Sequence, residues 1–208
     1  MAENKVNMTL KFDGKDDHIR LAPASDLGLT NSDFTVEAWI TILDFAGESD
    51  KTVLGTDQGG KNKGLHLVVR NKKPFMGFYG NDTAGKTELT TGAWSHIVWR
   101  YTKKGGKQAI FVNGVLDAAT QGHAPFQGAD VVNMGRWSGG RYFNGFISDV
   151  RIWNMALTSG EIVASMNRRL AGNEAGLMSY WPLDEGAGDV VRNAKQALHG
   201  VIRGAKWV

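Results

Sequence analysis

Period-two alternation of apolar and polar residues dominates this chain of 208 residues. Phe34 to Leu43 reads FTVEAWITIL, with Phe34, Val36, Ala38, Ile40 and Ile42 on one side and Glu37 and Trp39 on the other. Successive strand side chains point to opposite faces, so this pattern predicts a strand with one face on a core. Phe146 to Trp153 also alternates, but Ile147, Asp149, Arg151 and Trp153 mix charge with bulk on one face. That mixture predicts a strand partly buried on both sides. Further strands are expected at Met8–Phe12, His18–Leu21, Thr52–Gly55, Leu65–Arg70, Phe75–Tyr79, Trp94–Tyr101, Val131–Gly135, Met178–Leu183 and His199–Trp207. Asn113-Gly114 separates Gln108–Val112 from Val115–Ala118, and this pair favours a type I′ hairpin because both turn residues need positive φ. One helix signal stands out. Thr158-Ser159-Gly160-Glu161 is a capping box and predicts a helix that runs to about Ala171, with Gly172 beyond its last turn.

About a dozen short strands, tight turns and one helix predict an all-β fold, a two-sheet antiparallel sandwich with a helix near 159–171. The whole chain, 1–208, is expected to be one domain, with its strand-like ends side by side. A chain of this size buries roughly 70% of its unfolded surface, so it needs no staples. It has no Cys, which removes disulfides, thiolate zinc sites and thiol nucleophiles together. No run reaches the ~20 apolar residues of a membrane span, and MAENKVNMTLKF lacks the apolar segment of a signal peptide. The expectation is a cytoplasmic or unconventionally exported protein. The 24 Lys and Arg against 21 Asp and Glu are interspersed, which gives little support to nucleic-acid binding.

Six pieces follow one another in a recognisable order: LKFDGKDDHIRL, FTVEAWI, WSHIVWRY, IFVNG, GFISDVRIWNMALTSGEI and GLMSYWPLDEGAGDVV. Together they resemble laminin-G-like domains of the concanavalin A-like lectin and glucanase superfamily, in a branch that is also similar to pentraxins. The resemblance runs from Leu10 to Val208. It implies a jelly roll of two curved sheets, the helix after DVRIWN packed against it, and ligands on the concave face or its rim loops. The pentraxin likeness implies a site where two loops meet, here Asp57 to Gly64 and Arg136 to Asn144.

In pentraxins the second loop is acidic and holds calcium; here it reads RWSGGRYFN. Calcium takes about six to eight oxygens, largely carboxylate, which an Arg-Trp-Arg loop does not supply. The loop does suit a sugar. Trp137 or Tyr142 offers a flat apolar face for a pyranose, and Arg136, Arg141, Asn144, Asp57 and Asn62 offer directional hydrogen bonds. His66 follows the first loop and edges the site. The reading is a non-catalytic carbohydrate-binding module, with a saccharide as partner and homo-oligomerisation to raise avidity. The alternative is a structural or protein-interaction domain of the same fold with no sugar ligand.

Other signals fit chemistry less well. Gly80 to Thr87 matches the phosphate-loop spacing, but Glu88 to Trp94 reads as turn and strand, whereas a phosphate loop must open a helix. His96 fits a structural histidine in its alternating run. Glu37 and Asp149 could form a carboxylate pair, but either is expected to pair with Arg151 instead. No Glu-x-Asp-x-x-Glu run of the glucanases is present. No cofactor is required, and a structural calcium near the turn Asp13 to Asp17, joined by Asp149, stays open.

Overall fold

The computed structural model of the chain describes residues 9–47 and 49–208. The sequence-expected start of the first strand at Met8 lies outside the described residues. The first sheet contains β1 (Leu10–Asp13), β3 (Phe34–Ile42), β8 (Ser95–Thr102), β9 (Lys107–Val112), β10 (Val115–Thr120), β12 (Asn144–Trp153), β13 (Leu177–Trp181) and β16 (Lys206–Trp207). The second contains β2 (His18–Pro23), β4 (Asp50–Thr56), β5 (His66–Arg70), β6 (Lys73–Gly77), β7 (Asp82–Ala84), β11 (Val131–Met134), β14 (Val190–Val191) and β15 (Gly200–Arg203). The orders are β10-β9-β8-β3-β12-β1-β16, with β13 also on β12, and β14-β15-β2-β11-β4-β5-β6-β7. All pairings are antiparallel, so the two sheets form the expected sandwich.

The inner faces follow the alternation. Phe34, Val36, Ala38, Ile40 and Ile42 are buried in the core with Leu54, Leu67, Val69 and Met76 from the facing sheet. Asn113 and Gly114 take φ of 50° and 79°, as a type I′ turn requires. The expected strand His199–Trp207 divides. Gly204, at φ 85°, sends β15 into one sheet and β16 into the other, and a side chain there would run into Asp17. β16 then pairs with β1, and Thr9 and Val208 exchange two backbone hydrogen bonds of 3.0 Å each.

The helix α1 (Ser159–Ser165) starts as predicted. Thr158 accepts from Glu161 N, and the Glu161 carboxylate accepts from Thr158 N. It ends six residues before Ala171, and the reason lies in the strands beneath. Arg151 donates to the Ser165 carbonyl at 3.0 Å and the Arg168 carbonyl at 2.8 Å, while Trp39 Nε1 donates to the Met166 carbonyl at 2.9 Å. Side-chain donors thus take the carbonyls that another helical turn would have used. Arg151, 1% exposed, also lies 4.0 Å from Glu37 and 3.4 Å from Asp149. Glu37 accepts from Trp153 Nε1 at 2.7 Å and faces His96 Nε2 at 3.2 Å. Both carboxylates named as a candidate pair therefore sit in a charged network under the helix, on the outer face of the first sheet.

Removing one partner of a buried ion network leaves the other uncompensated, at about 3–5 kcal/mol. Arg151→Ala is accordingly expected to lower unfolding stability by about that amount, read from the denaturant midpoint. A loss near zero would show that the helix is held by apolar packing alone.

Candidate functional site

The loops after β4 and β11 meet over the outer face of the second sheet. Trp137-Ser138-Gly139-Gly140 is a two-residue hairpin: Trp137 and Gly140 exchange both backbone hydrogen bonds at 3.2 Å, and Ser138 and Gly139 have φ of 53° and 66°. Its tip is tied to the first loop. Gly139 N donates to Asp57 at 2.8 Å, Ser138 N to the Thr56 carbonyl at 3.2 Å, and Arg136 forms an ion pair with Asp57.

This hairpin lays Trp137 flat on β4 and β5. The approach requires Gly55, since any Cβ there would collide with Trp137 Cβ. Trp137 stacks on His66 with centroids 4.3 Å apart and planes at 15°; His66 in turn stacks on Phe75 at 5.8 Å and 18°. The Arg70 guanidinium lies 4.0 Å over Phe75, and that of Arg141 lies 4.9 Å over Trp137. The result is a stack of five side chains with a cation at each end.

Asp50 anchors it from below. It accepts from Arg70 at 2.6 and 2.7 Å and from Trp137 Nε1 at 3.1 Å. Burial acts to raise its pKa, but the Arg70 hydrogen bonds and charge, aided by Trp137, hold the carboxyl below its ordinary value. His66 is held the other way. Burial pushes its pKa below 6.5, only partly opposed by the Gly64 carbonyl that faces Nδ1 at 3.0 Å and by Asp82, 3.7 Å from Nε2. The imidazole is therefore neutral, and the Gly64 contact places its proton on Nδ1.

Five of the eight residues expected at the site come together here: Asp57, His66, Arg136, Trp137 and Arg141. The side chains of the other three do not join them, although Asn62 N donates to the Tyr79 carbonyl at 3.4 Å. Asn62 Oδ1 accepts from Asn81 at 2.8 Å in an amide network with His123. The Tyr142 ring sits beside His18, 6.4 Å between centroids, and Asn144 packs on Gly14 in the β1–β12 pair. Trp137 lies buried in the layer. It is 6% exposed, with His66 on one face of the ring and Arg141 left to the other, so neither face is open to a sugar. His66, 3% exposed, is likewise inside the layer rather than at its edge.

The exposed aromatic is Tyr79, which the sequence reading placed at a strand end. The residue is 46% exposed, and its ring stands edge-on to Trp137 at 6.5 Å and rests against Gly64. Its φ of 68° ends β6 two residues early, at Gly77, and turns the ring to the rim. The only signal for this was its place directly before Gly80-Asn81-Asp82.

Two other sequence signals can be located in the fold. The backbone N–H groups of Lys86 and Thr87, which a phosphate loop would offer to phosphate, donate to the Asp117 carboxylate at 2.7 and 2.9 Å. Asp13, Asp16 and Asp17 have carboxylate oxygens within 4.8 Å of one another, which is half or less of the oxygen set calcium takes. Asp17 accepts from Asp13 N and Asp13 from Lys15 N, both at 2.8 Å, so two of the three already serve their own turn. Asp149 is elsewhere, accepting from Tyr180 Oη at 2.6 Å.

Residues 13–163 match a laminin-G-type family model described as the concanavalin A-like lectin/glucanases superfamily. The chain belongs to that superfamily. No curated protein sequence matches it. Among solved structures, one titled a "putative carbohydrate binding protein" from Bacteroides ovatus is 24% identical with a TM-score of 0.76. That match covers 97% of this chain, which spans 59% of the larger Bacteroides chain. The native heptameric SAP-like pentraxin of Limulus polyphemus is 16% identical, covers 95% of both chains and has a TM-score of 0.62. The CBM40 of the Ruminococcus gnavus IT-sialidase, bound to α2,3 sialyllactose, is 16% identical with a TM-score of 0.56, over 72% of this chain and 96% of that one. At these identities the likeness is one of fold. Within that superfamily fold, this chain lays its own indole on β4 and β5 of the second sheet, with Tyr79 exposed beside it.

Two tests follow from the layer. Gly55→Ala should unseat Trp137, seen as a red shift of tryptophan emission, while an unchanged spectrum would mean the hairpin can rise without losing the stack. His66, neutral in the fold, contributes stability that is intact above its unfolded pKa of 6.5 and is lost as pH falls through that value toward the lowered one. The denaturant midpoint should therefore drop from about pH 7.5 to about pH 5, and His66→Phe should flatten the drop. His123, also lowered by burial, contributes a remainder of the same sign.

Proposed function

We propose that this chain is a non-catalytic carbohydrate-binding module that holds a saccharide at the rim between the loops after β4 and β11. The observation that carries the reading is the exposed Tyr79 ring, braced edge-on against the buried Trp137–His66 stack. A pyranose presents an apolar face to such a ring, and in this reading Asp57, Arg136 and Arg141, gathered at the Trp137 hairpin, supply the donors and acceptors. The superfamily membership and the sialyllactose-bound module of similar fold support a saccharide as the ligand class.

Binding is proposed to be independent of calcium, because the groups at the rim are cations and their paired carboxylate rather than a set of free carboxylates. Any calcium would belong to the Asp13–Asp17 turn, apart from the sugar. One weak site gains from multivalency, so self-association forms part of this reading, and light scattering reads it directly.

A glycan array probed with the purified chain, with calcium or with chelator, is expected to give specific signals in both buffers. No signal above background in either would overturn the reading. Tyr79→Ala should weaken binding about tenfold or more, from lost apolar contact, with stability within about 0.5 kcal/mol of the parent. Trp137→Ala should instead cost about 3–5 kcal/mol of stability, as truncation of a buried aromatic does. If Trp137→Ala abolished binding and left the melting temperature unmoved, the platform would be Trp137 after all.

A further inference from the structure

Three guanidinium groups belong to this layer and the loop tied to it, and two of them are matched. Arg70 is doubly bonded to Asp50, and Arg136 is paired with Asp57. Arg141 forms no ion pair among the described residues. Its backbone is held at φ 53°, a conformation in which an arginine is uncommon and Gly or Asn would be at ease. The Arg141 carbonyl accepts a hydrogen bond from Thr52 Oγ1, which fixes that backbone to β4. The guanidinium lies over the indole of Trp137 at 4.9 Å.

A guanidinium laid on an aromatic face uses its π surface for the ring and keeps its N–H donors in its own plane. Those donors form a fork that matches a carboxylate or sulfate and is only partly used by neutral hydroxyls. The surroundings reinforce this preference. Lys61 and Lys63 are exposed on the facing loop and form no ion pair among the described residues. The carboxylates described in this layer are committed: Asp57 to Arg136 and Gly139, Asp50 to Arg70 and Trp137, and Asp82 to the N–H groups of Phe78 and Asn81. Among the described residues, Arg141 is therefore a cation without a carboxylate partner, and it shares the Trp137 ring as a neighbour with the exposed Tyr79.

We infer that the rim selects saccharides bearing an anionic substituent, a carboxylate or a sulfate, which Arg141 pairs while the sugar ring lies against Tyr79. This inference rests on the saccharide reading above. Arg141 is thereby the specificity-determining residue, and Tyr79 supplies contact common to all sugars.

The test titrates the full chain with neutral, carboxylated and sulfated versions of the same glycan, by calorimetry at low and at high salt. The anionic versions should bind about tenfold more tightly than the neutral one, as expected for a charge-assisted fork, and the preference should shrink as salt rises. The carboxylated and sulfated arms tell which anion fits better. Arg141→Gln should abolish the preference, so that neutral and anionic glycans bind alike. Arg141→Asn, compatible with the left-handed backbone, gives the same readout should the glutamine variant fold poorly. Equal binding of neutral and anionic glycans would overturn the inference while leaving the rim reading standing, as would a preference that survives both substitutions. Binding of none of the glycans would overturn both.

Discussion

A carboxylate can be kept out of water only if donors satisfy it, and the outer layer of the second sheet is organised by one that is. Asp50, 1% exposed, takes two hydrogen bonds from Arg70 and one from Trp137. The first pair spans β4 and β5; the third reaches the loop after β11, far along the chain. Without that third bond the indole N–H would be buried without a partner, a cost comparable to losing the hydrogen bond itself. The hairpin bearing Trp137 is thus tied to the sheet by polar satisfaction as well as by stacking. Around that tie, Gly55 leaves room for the indole, His66 is buried against it, and Tyr79 stands edge-on beside it.

The same logic operates on the opposite side of the sandwich. Arg151 is buried and charged, and its hydrogen bonds go to carbonyls at the end of α1, with carboxylates close by. In doing so it sets where the helix stops. On both outer faces, then, a charged side chain within a strand is matched by groups from a segment distant in sequence. These matches couple the connecting segments to the sheets, which apolar packing alone would leave free to slide.

Much of the fold was legible in the sequence. The strand FTVEAWITI needed only its alternation, the Asn113-Gly114 hairpin only its turn chemistry, and the helix start only Thr158 and Glu161. Each is a local signal, decided within a few residues. The short strands β7 and β14 were missed because three and two residues carry no periodicity. The helix end was missed because its carbonyls are taken by Arg151 and Trp39, more than ten and more than a hundred residues away. The loops that meet at the rim were also legible, through the resemblance. Which aromatic faces outward was not.

Trp137 and Tyr79 show the division most plainly. By itself the sequence determined the strand faces, the turns, the helix start and the cationic, aromatic character of the loop from Arg136 to Asn144. Only the tertiary structure decided that the larger aromatic is buried and the smaller exposed. That outcome depends on a missing side chain at Gly55, a buried acceptor at Asp50 and a neutral ring at His66. These lie on other strands, and their joint effect on Trp137 exists only once the sheet has brought them beneath it.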